Sequence, residues 1–307
     1  MRAIVTGGCG FVGSHLVDQL VRNSELERVL VIDDLRLGKE LNIAHHKKDI
    51  DMLSMSVRDA FTEQLGLIHA FDADVVYNLA VDPLPKSLIY PWEVWNNNID
   101  ITKHVARFCG NHEIRMVHFS SSEVYGTVKS GKISECHVMN PLTMYAASKA
   151  ACDHIVNALV ETEDLDAVTI RPFNCIGPRQ NEKSYAGIIP MTINRIKRGE
   201  KPVIYGTGEQ TRDYTYVTDI AKAATIVAAR GETGREYNAC TGIETRIDWL
   251  VNEISEHMNY KGTVNYQPAR LGDVMRHQGD NNVIKYIGWK PTVDIRDAVK
   301  ETVEWYK

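Results

Sequence analysis

The sequence predicts an α/β fold built on a doubly wound parallel sheet, and three observations support this class. Short apolar segments alternate with helix-compatible stretches through the first half of the 307-residue chain. A glycine-rich turn follows the first apolar segment, and two aspartates follow the second. Strands that alternate with helices pair in parallel, because each crossover helix returns the chain to the same end of the sheet. The predicted strands lie near residues 2–6, 28–32, 74–79, 115–120 and 167–172.

The first predicted strand leads into a glycine turn and then a helix start, which is the order that a dinucleotide site requires. Gly7 permits the tight turn, Gly10 lets the backbone approach a pyrophosphate, and Gly13 lets the helix pack closely on the strand. The helix then begins around Phe11 and Val12, where free amide groups would face the phosphates. The turn therefore predicts a Rossmann-type sheet.

The second predicted strand ends in Asp33 and Asp34, about 20 residues after the glycine turn. A carboxylate at this position accepts hydrogen bonds from the adenosine ribose and repels a 2′-phosphate. Asp33 therefore favours NAD over NADP, although the nearby Arg36 leaves room for NADP. The alternative is an ordinary strand, turn and helix without a ligand.

Composition is that of a globular protein, with 44% hydrophobic residues and a formal net charge of −5. This charge gives no indication of a nucleic-acid surface. No apolar run is long enough to span a bilayer and no signal peptide is apparent, so we expect no membrane association and a cytoplasmic location. The six cysteines lack paired short spacing and are interpreted as reduced thiols. His45 and His46 are adjacent, but no metal-ligand spacing is visible, so no metal is expected.

The strand rhythm breaks after Pro172, where shorter strands and turns begin. We therefore predict a dinucleotide-binding domain over 1–172 and a smaller mixed α/β substrate-binding lobe over 173–307, with some segments returning to the first domain. This lobe would cover the carboxyl ends of the strands, where such folds bind ligands. The helical runs 94–110 and 145–161 either cover the sheet or lie between the subunits of an expected homodimer.

Tyr145 and Lys149 lie four residues apart in a helix-compatible run and so share one helix face. A fixed cation stabilises phenolate, so Lys149 is expected to lower the pKa of Tyr145 from its usual value of about 10. Tyr145 would then act as a general base or acid towards a hydroxyl group. The alternative is a pair on a partly solvated helix face.

Together these motifs resemble the extended short-chain dehydrogenase/reductase family of nucleotide-sugar epimerases, dehydratases and decarboxylases. The resemblance covers essentially the whole chain. The matching segments are residues 6–13, 78–80, 120–126, 145–149, 171–174, 206–214 and 270–273.

The resemblance implies a catalytic set of Ser121, Ser122, Glu123, Tyr145 and Lys149. Ser121 would bind the sugar C4 hydroxyl while Tyr145 removes its proton, and the C4 hydride would pass to NAD, which gives a 4-keto sugar. Lys149 would hold the nicotinamide ribose. For Ser121 and Ser122 the alternative role is to cap the strand end.

Glu123 indicates which reaction follows, because the family's 4-epimerases usually have a small apolar residue there. Glu123 could remove the C5 proton of the ketone, as in 4,6-dehydratases. Those enzymes often place an Asp before this Glu, where the present chain has Ser122. Uronate decarboxylases also carry the Glu and offset its charge with an arginine, for which Arg276 is the candidate. Glu123 could instead be a solvated loop carboxylate.

The resemblance also assigns binding residues to the cofactor and to a nucleotide-diphosphate sugar. Further cofactor contacts are expected at Asp49, Ile50, Leu79, Ala80 and Pro172. Arginines suit the diphosphate because their planar fork donates two hydrogen bonds. Substrate contacts are expected at Lys86, Ser87, Asn174, Arg212, Arg270, Asp273 and Arg276.

The leading prediction is an NAD-dependent nucleotide-sugar dehydratase of the 4,6-dehydratase type, working through a 4-keto intermediate. A nucleotide-sugar 4-epimerase and a UDP-glucuronate decarboxylase are the enzymatic alternatives. A catalytically silent NAD-binding sensor is the alternative from another class, and the intact Tyr145 and Lys149 argue against it.

Overall fold

The computed structural model describes residues 1–128, 130–182, 187–269 and 274–307. Arg270 and Asp273, which were expected to bind the nucleotide, lie outside the described residues. The strands are β1 (Arg2–Thr6), β2 (Arg28–Ile32), β3 (Ile50–Leu53), β4 (Val75–Asn78), β5 (Arg115–Phe119), β6 (Ala167–Pro172), β7 (Asn174–Ile176), β8 (Val203–Tyr205), β9 (Thr211–Arg212), β10 (Tyr214–Tyr216), β11 (Glu236–Ala239), β12 (Thr245–Arg246) and β13 (Asn265–Gln267).

Helices cover both faces of the main sheet and build much of the second lobe. The α-helices are α1 (Phe11–Val21), α2 (Val57–Glu63), α3 (Leu65–Ala70), α4 (Leu84–Ser87), α5 (Pro91–Asn111), α6 (Met144–Glu163), α7 (Ile188–Lys197), α8 (Val217–Arg230), α9 (Ile247–His257), α10 (Asn282–Tyr286) and α11 (Ile295–Tyr306). Short 3-10 helices lie at Glu40–Asn42, Ala44–His46 and Ser122–Tyr125. Among the described residues, no helix combines the length and the apolar character needed to cross a membrane.

The main sheet has seven parallel strands in the order β11-β6-β5-β4-β1-β2-β3. The chain starts at β1, builds outward to β3 and then crosses to β4 on the other side of β1, so a crevice opens between β1 and β4. The predicted doubly wound α/β class is confirmed. The two edge strands, β3 and β11, were not predicted, because their sequences are short and carry polar residues.

Alternate residues of each strand enter different cores, as a period of two requires. Ile4 of β1 packs with α2 and α5, whereas Ala3 and Val5 pack with α1 and α8. Each fully buried aliphatic side chain contributes about 1.5–3 kcal/mol. These two cores hold the strand ends, and therefore the crevice, in a fixed position.

The region after β6 forms a lobe of two-stranded pairings and helices. β7 pairs with β10 and β8 with β13 in parallel, and β9 pairs with β12 in antiparallel. A separate apolar core joins α7, α9 and α11. By contrast, α8 and β11 pack on the main sheet, so the chain crosses back to it. The division at 172/173 stays a prediction.

Candidate active site

A cavity of about 650 Å³ lies over the carboxyl ends of the main-sheet strands, beside the glycine turn. Its size is typical of a small-molecule or cofactor site. It extends from the turn to the start of α6. The residues expected to bind the cofactor or to act in catalysis that line this cavity are Gly7, Gly10, Phe11, Val12, Gly13, Asp33, Leu79, Ala80, Ser121, Tyr145, Lys149 and Pro172.

The glycine turn packs closely against the start of α1, because Gly7 and Gly13 carry no side chains. Gly7 has a φ of 71° and its amide donates to the Ile32 carbonyl at 2.8 Å. A Cβ atom on Gly13 would lie 2.1 Å from the Gly7 carbonyl oxygen. The turn and α1 are therefore in direct contact, and the helix amides face the cavity, which fits a pyrophosphate.

The Thr6 hydroxyl holds the end of β4 beside the glycine turn. It donates to the Asn78 side chain at 2.9 Å and accepts from the amides of Leu79 and Ala80, each at 3.1 Å. One side chain at the end of β1 therefore holds the end of β4. This contact sets the width of the crevice that a dinucleotide would enter.

Asp33 is oriented by backbone amides at the adenosine end of the cavity. Its two oxygens accept from Cys9 and Leu35, each at 2.9 Å. Burial raises the pKa of Asp33, and these two hydrogen bonds offset part of the increase. Asp34 pairs with Arg36 at 2.6 Å, so the nearby cation already has a carboxylate partner. The arrangement fits NAD better than NADP.

Asp49 and Ile50, where cofactor contacts were expected, do not line the cavity among the described residues, and these contacts stay a prediction. Ile50 begins β3 and pairs with Val29, at the opposite end of the sheet from the cavity. Ser56 and Val57, at the start of α2, line the cavity instead. The physical reason is that β3 starts at Ile50, so the residues that follow this strand lie seven positions later than expected.

Tyr145 and Lys149 occupy the first turns of α6, whose start is fixed by a side-chain cap. The Thr143 hydroxyl accepts from the Ala146 amide at 3.1 Å. Lys149 is 4% exposed, and its ammonium donates to the Phe119 carbonyl at 2.6 Å. This bond ties the helix to the end of β5, immediately before Ser120 and Ser121.

The expected lowering of the Tyr145 pKa is wrong for this arrangement. Burial raises the pKa of Tyr145, a hydrogen bond with Ser121 lowers it, and the Glu123 charge raises it further. The Lys149 ammonium is held by Phe119, and burial lowers the pKa of Lys149. The phenol is therefore protonated in this arrangement and is hydrogen-bonded to the serine hydroxyl.

Ser122 and Glu123 continue from Ser121 into a 3-10 helix. The Ser121 hydroxyl accepts from the Glu123 amide at 3.2 Å, which caps this helix. Ser122 is 3% exposed, and its carbonyl lies 3.3 Å from Nε2 of the buried His277. Within the described chain, Ser121 lines the cavity and Ser122 and Glu123 do not. Ser122 is therefore held below the surface of the site.

The expected substrate contacts at Lys86 and Ser87 are not supported. Lys86 is buried in α4, where its ammonium donates to Asp82 at 3.0 Å and to Glu93 at 2.5 Å. The Ser87 hydroxyl donates to the Leu84 carbonyl at 2.7 Å. Neither lines the cavity among the described residues, whereas Asp82 and Glu93 do. The sequence could not show that these carboxylates engage the lysine.

The remaining predicted substrate residues differ in their surroundings. The Asn174 side-chain amide nitrogen is buried and has no hydrogen-bond partner within the described residues. Arg212 donates to the carbonyls of Thr211 and Val274. Arg276 makes a two-bond ion pair with Glu244, at 2.7 and 3.0 Å, so its assignment to the substrate is not supported. Asn174 is therefore the one of these three that offers an unsatisfied donor.

A buried ion network below Lys149 was not predicted from the sequence. Asp153 lies 2.9 Å from Arg171 Nε and 3.4 Å from His118 Nε2, and all three side chains are at most 1% exposed. Arg171 also donates to the Tyr125 hydroxyl at 2.8 Å. The available signal was the carboxylate four residues after Lys149, on the same helix face. This network supports the strand ends that carry the site.

Arg179 was also missed. It lines the cavity with a φ of 67°, and its Nη2 lies 2.9 Å from Asp18 on α1. Its Nε and Nη1 atoms are buried without a hydrogen-bond partner among the residues described. A motif search around the glycine turn does not reach this residue, because the turn after β7 brings it there.

The chain matches the model of the NAD dependent epimerase/dehydratase family over residues 3–240. A UDP-glucose 4-epimerase from Mycolicibacterium smegmatis is 32% identical over 100% of this chain and 99% of its own length. Both classes of enzyme in the family's name are also represented among solved structures similar to this chain.

One such structure is the UDP-N-acetylglucosamine 4-epimerase from Methanobrevibacter ruminantium in complex with UDP-N-acetylmuramic acid. It is 35% identical, with a TM-score of 0.91, and the match covers 99% of this chain and 97% of the other. Another is DesIV, a dTDP-glucose 4,6-dehydratase from Streptomyces venezuelae with NAD bound. It is 28% identical, with a TM-score of 0.91, over 100% and 97% of the two chains. With the nucleotide-binding cavity, these matches show that the chain belongs to the NAD dependent epimerase/dehydratase family, within the extended short-chain dehydrogenase/reductase group.

Proposed function

We propose that this protein is a 4,6-dehydratase that oxidises the C4 hydroxyl of a nucleotide-linked sugar and then removes water across C5 and C6. One observation carries the proposal. The Tyr145 and Ser121 hydroxyls are hydrogen-bonded at the cavity wall, and the charge of Glu123, two residues after Ser121, acts on the same phenol from just outside the described lining. An acid–base pair for one hydroxyl and a second base thus come from adjacent segments.

In the first step Ser121 orients the C4 hydroxyl, and Tyr145 accepts the hydroxyl proton after its own phenol proton has been lost to solvent. Positioned proton transfer of this kind contributes about 10²–10⁴-fold to rate. NAD, when bound, would supply the hydride acceptor and would later return the same hydride to the sugar. Lys149, one helical turn from Tyr145, provides a positive charge when the phenol loses its proton.

In the second step Glu123 removes the C5 proton, which the C4 ketone has made acidic. The charge of Glu123 already raises the pKa of Tyr145, so the two groups are electrostatically coupled. Loss of the C6 hydroxyl then gives an unsaturated ketone, which accepts hydride at C6. Glu123 carries the abstracted proton and is the candidate donor to the departing hydroxyl, which leaves as water. After hydride adds at C6, the resulting enolate takes up a proton from solvent at C5.

For the nucleotide, the buried donor of Asn174 is the strongest candidate contact. It lies directly after Phe173, which lines the cavity, and it begins β7. An unsatisfied buried amide costs about 1–3 kcal/mol, so a phosphate or sugar oxygen at this position would recover that free energy.

A second candidate function is 4-epimerisation, which needs Tyr145 and Ser121 but no base at Glu123. Two observations favour it. Ser122 is buried, so it does not supply the acid that many dehydratases place before the glutamate. The relatives that match this chain also include 4-epimerases, one with 35% identity.

The experiment is product analysis by mass spectrometry after incubation with UDP-, dTDP-, GDP- and CDP-hexoses. A product that is about 18 mass units lighter than the substrate, which corresponds to the loss of one water molecule, supports the dehydratase. A product of unchanged mass that separates by chromatography supports the epimerase, and loss of carbon dioxide from a uronate would support decarboxylation.

Two variants separate the steps. Glu123→Gln should abolish both water loss and the exchange of the C5 proton with solvent deuterium, because the base that removes the C5 proton is gone. Ser122→Ala is the matched control, since this hydroxyl lies below the cavity surface. Unchanged water loss in Glu123→Gln would show that the base is assigned wrongly.

A further inference from the structure

Two histidines and an aspartate converge outside the catalytic site. His45 and His46 lie in the 3-10 helix Ala44–His46, and Asp18 lies on α1, 27 residues before His45. The Nε2 atoms of both histidines lie 2.9 Å from the same oxygen, Oδ1 of Asp18. The three ligand atoms all lie within 4.8 Å of one another. This is the only such group of three among the described residues.

The carboxylate has a fixed orientation. Its other oxygen, Oδ2, is 2.9 Å from Nη2 of Arg179, so Oδ1 is the atom turned towards the imidazoles. The two rings lie against each other, with centroids 4.0 Å apart. The Asp18 and His46 side chains are mostly buried, and that of His45 is 49% exposed. The cluster is therefore held rigidly from below and open to solvent on one side.

We propose that Asp18, His45 and His46 form a site for a divalent cation of the zinc class, with its fourth position open to solvent. Two imidazole nitrogens and one carboxylate oxygen are ligands that zinc accepts, at about 2.0–2.2 Å each. Ligand atoms around a tetrahedral zinc are separated by about 3.4 Å, so the 2.9 Å contacts need only a small opening.

The alternative is that both imidazoles donate N–H bonds to Asp18 and no cation binds. The two states differ in tautomer, because a ligating Nε2 must be unprotonated and its proton must reside on Nδ1. The Arg179 charge on Oδ2 opposes a cation on Oδ1, so the affinity should be moderate rather than very high. Because Arg179 also lines the cofactor cavity, cation binding and cofactor binding are expected to be coupled.

The test uses the full chain, free of any polyhistidine tag, and cobalt(II) as a spectroscopic probe. We expect one cobalt per chain, with the intense visible absorption of four-coordinate cobalt, and displacement by zinc. Affinity should fall at least tenfold in His46→Gln and in Asp18→Asn.

His69→Gln is the matched control, because His69 stacks on His112 with centroids 4.4 Å apart but belongs to no such ligand group in the described part of the chain. It should bind cobalt as the unaltered protein does. Absence of a one-to-one complex in the unaltered protein would overturn the proposal. Equal loss in His69→Gln, or undiminished binding in both His45→Gln and His46→Gln, would also overturn it. The half-exposed His45 keeps the test valid if His46→Gln does not fold.

Discussion

The two halves of the candidate site, one for the cofactor and one predicted for the substrate, differ in how their polar groups are held. In the cofactor half, which contains Thr6, Gly7 and Asp33, backbone amides from nearby segments fix the geometry. The substrate half is the region beside the cavity lining that holds Asn174 and Arg212, which were predicted to contact the substrate, and the buried His277. Its partners come from segments far away in sequence, such as Val274 for Arg212 and Ser122 for His277. A sequence motif therefore predicts a site well where the backbone of the motif itself builds the site. It predicts a site poorly where side chains from distant segments decide whether a charged group is free to bind a ligand.

The largest expected effect is at Tyr145, between the cofactor half and the substrate half. Tyr145→Phe should lower kcat by about 10³-fold or more, because the proton acceptor for the C4 hydroxyl is lost. Cofactor affinity and melting temperature should change little, since the phenol is hydrogen-bonded to the Ser121 hydroxyl and not to a group that holds the fold together. Turnover is measured by mass spectrometry and NAD affinity by fluorescence. Retained turnover would remove Tyr145 from the mechanism.

The next largest effect is expected at Asp153, in the buried ion network below both halves of the site. Asp153→Ala should cost about 3–5 kcal/mol in free energy of unfolding, because it leaves the buried Arg171 without its carboxylate. Asp153→Asn keeps the shape and should cost less. Urea denaturation of both variants measures the difference. A loss below about 1 kcal/mol in Asp153→Ala would mean that Arg171 is satisfied by Tyr125 and Glu236 alone.

A pH experiment separates the substrate half from the rest. Burial lowers the pKa of His277 to about 4, and the Arg212 charge adds to this effect. In the unfolded chain the pKa is about 6.5, so the unfolded state takes up a proton that the native state excludes. The contribution of His277 to the free energy of unfolding is fully present above pH 6.5. It is lost as the pH falls towards 4, by about 3 kcal/mol in total.

Denaturation between pH 7 and pH 4.5 measures this loss. In His277→Asn the curve should be flatter, because the buried ring is gone. His154→Gln is the control, since this side chain is exposed on α6. An unchanged slope in His277→Asn would assign the pH dependence to other buried groups, of which His15 is the first candidate because burial lowers its pKa to about 4 as well.

The contrast between the halves also explains what the sequence could predict. The glycine turn, Asp33 and five of the main-sheet strands follow from patterns within short segments, and the structure has them where they were predicted. The contacts predicted at Asp49 and Ile50 do not fall on the described cavity lining, because the start of β3, an edge strand, has no clear pattern. The commitment of Lys86 to Asp82 and Glu93 depends on how α4 packs beside α5, and one sequence does not contain that information.

The cofactor half yields a smaller effect on specificity. Asp33→Asn should weaken NAD binding by about tenfold, because an amide cannot accept from both Cys9 and Leu35 and still face a ribose. Preference over NADP should shrink by a similar factor, since the repelling charge is gone. Titration with both cofactors measures the ratio. If NAD weakens while the ratio is unchanged, Asp34 rather than Asp33 sets the preference.

The smallest expected effect returns to the substrate half. Arg276→Ala should change KM for the nucleotide sugar by less than threefold, because Arg276 is bound to Glu244 at the surface and such a pair contributes about 0–1 kcal/mol. Asn174→Ala, by contrast, should raise KM about tenfold, since its buried donor has no other partner within the described chain. Steady-state kinetics of both variants with the same substrate gives the comparison. A large KM increase in Arg276→Ala, together with carbon dioxide release from a uronate, would mean that the ion pair opens when substrate binds and that the arginine serves a carboxylate. The two substitutions therefore test whether an exposed charged group already paired in the protein, or a buried neutral group left unsatisfied, recognises the substrate.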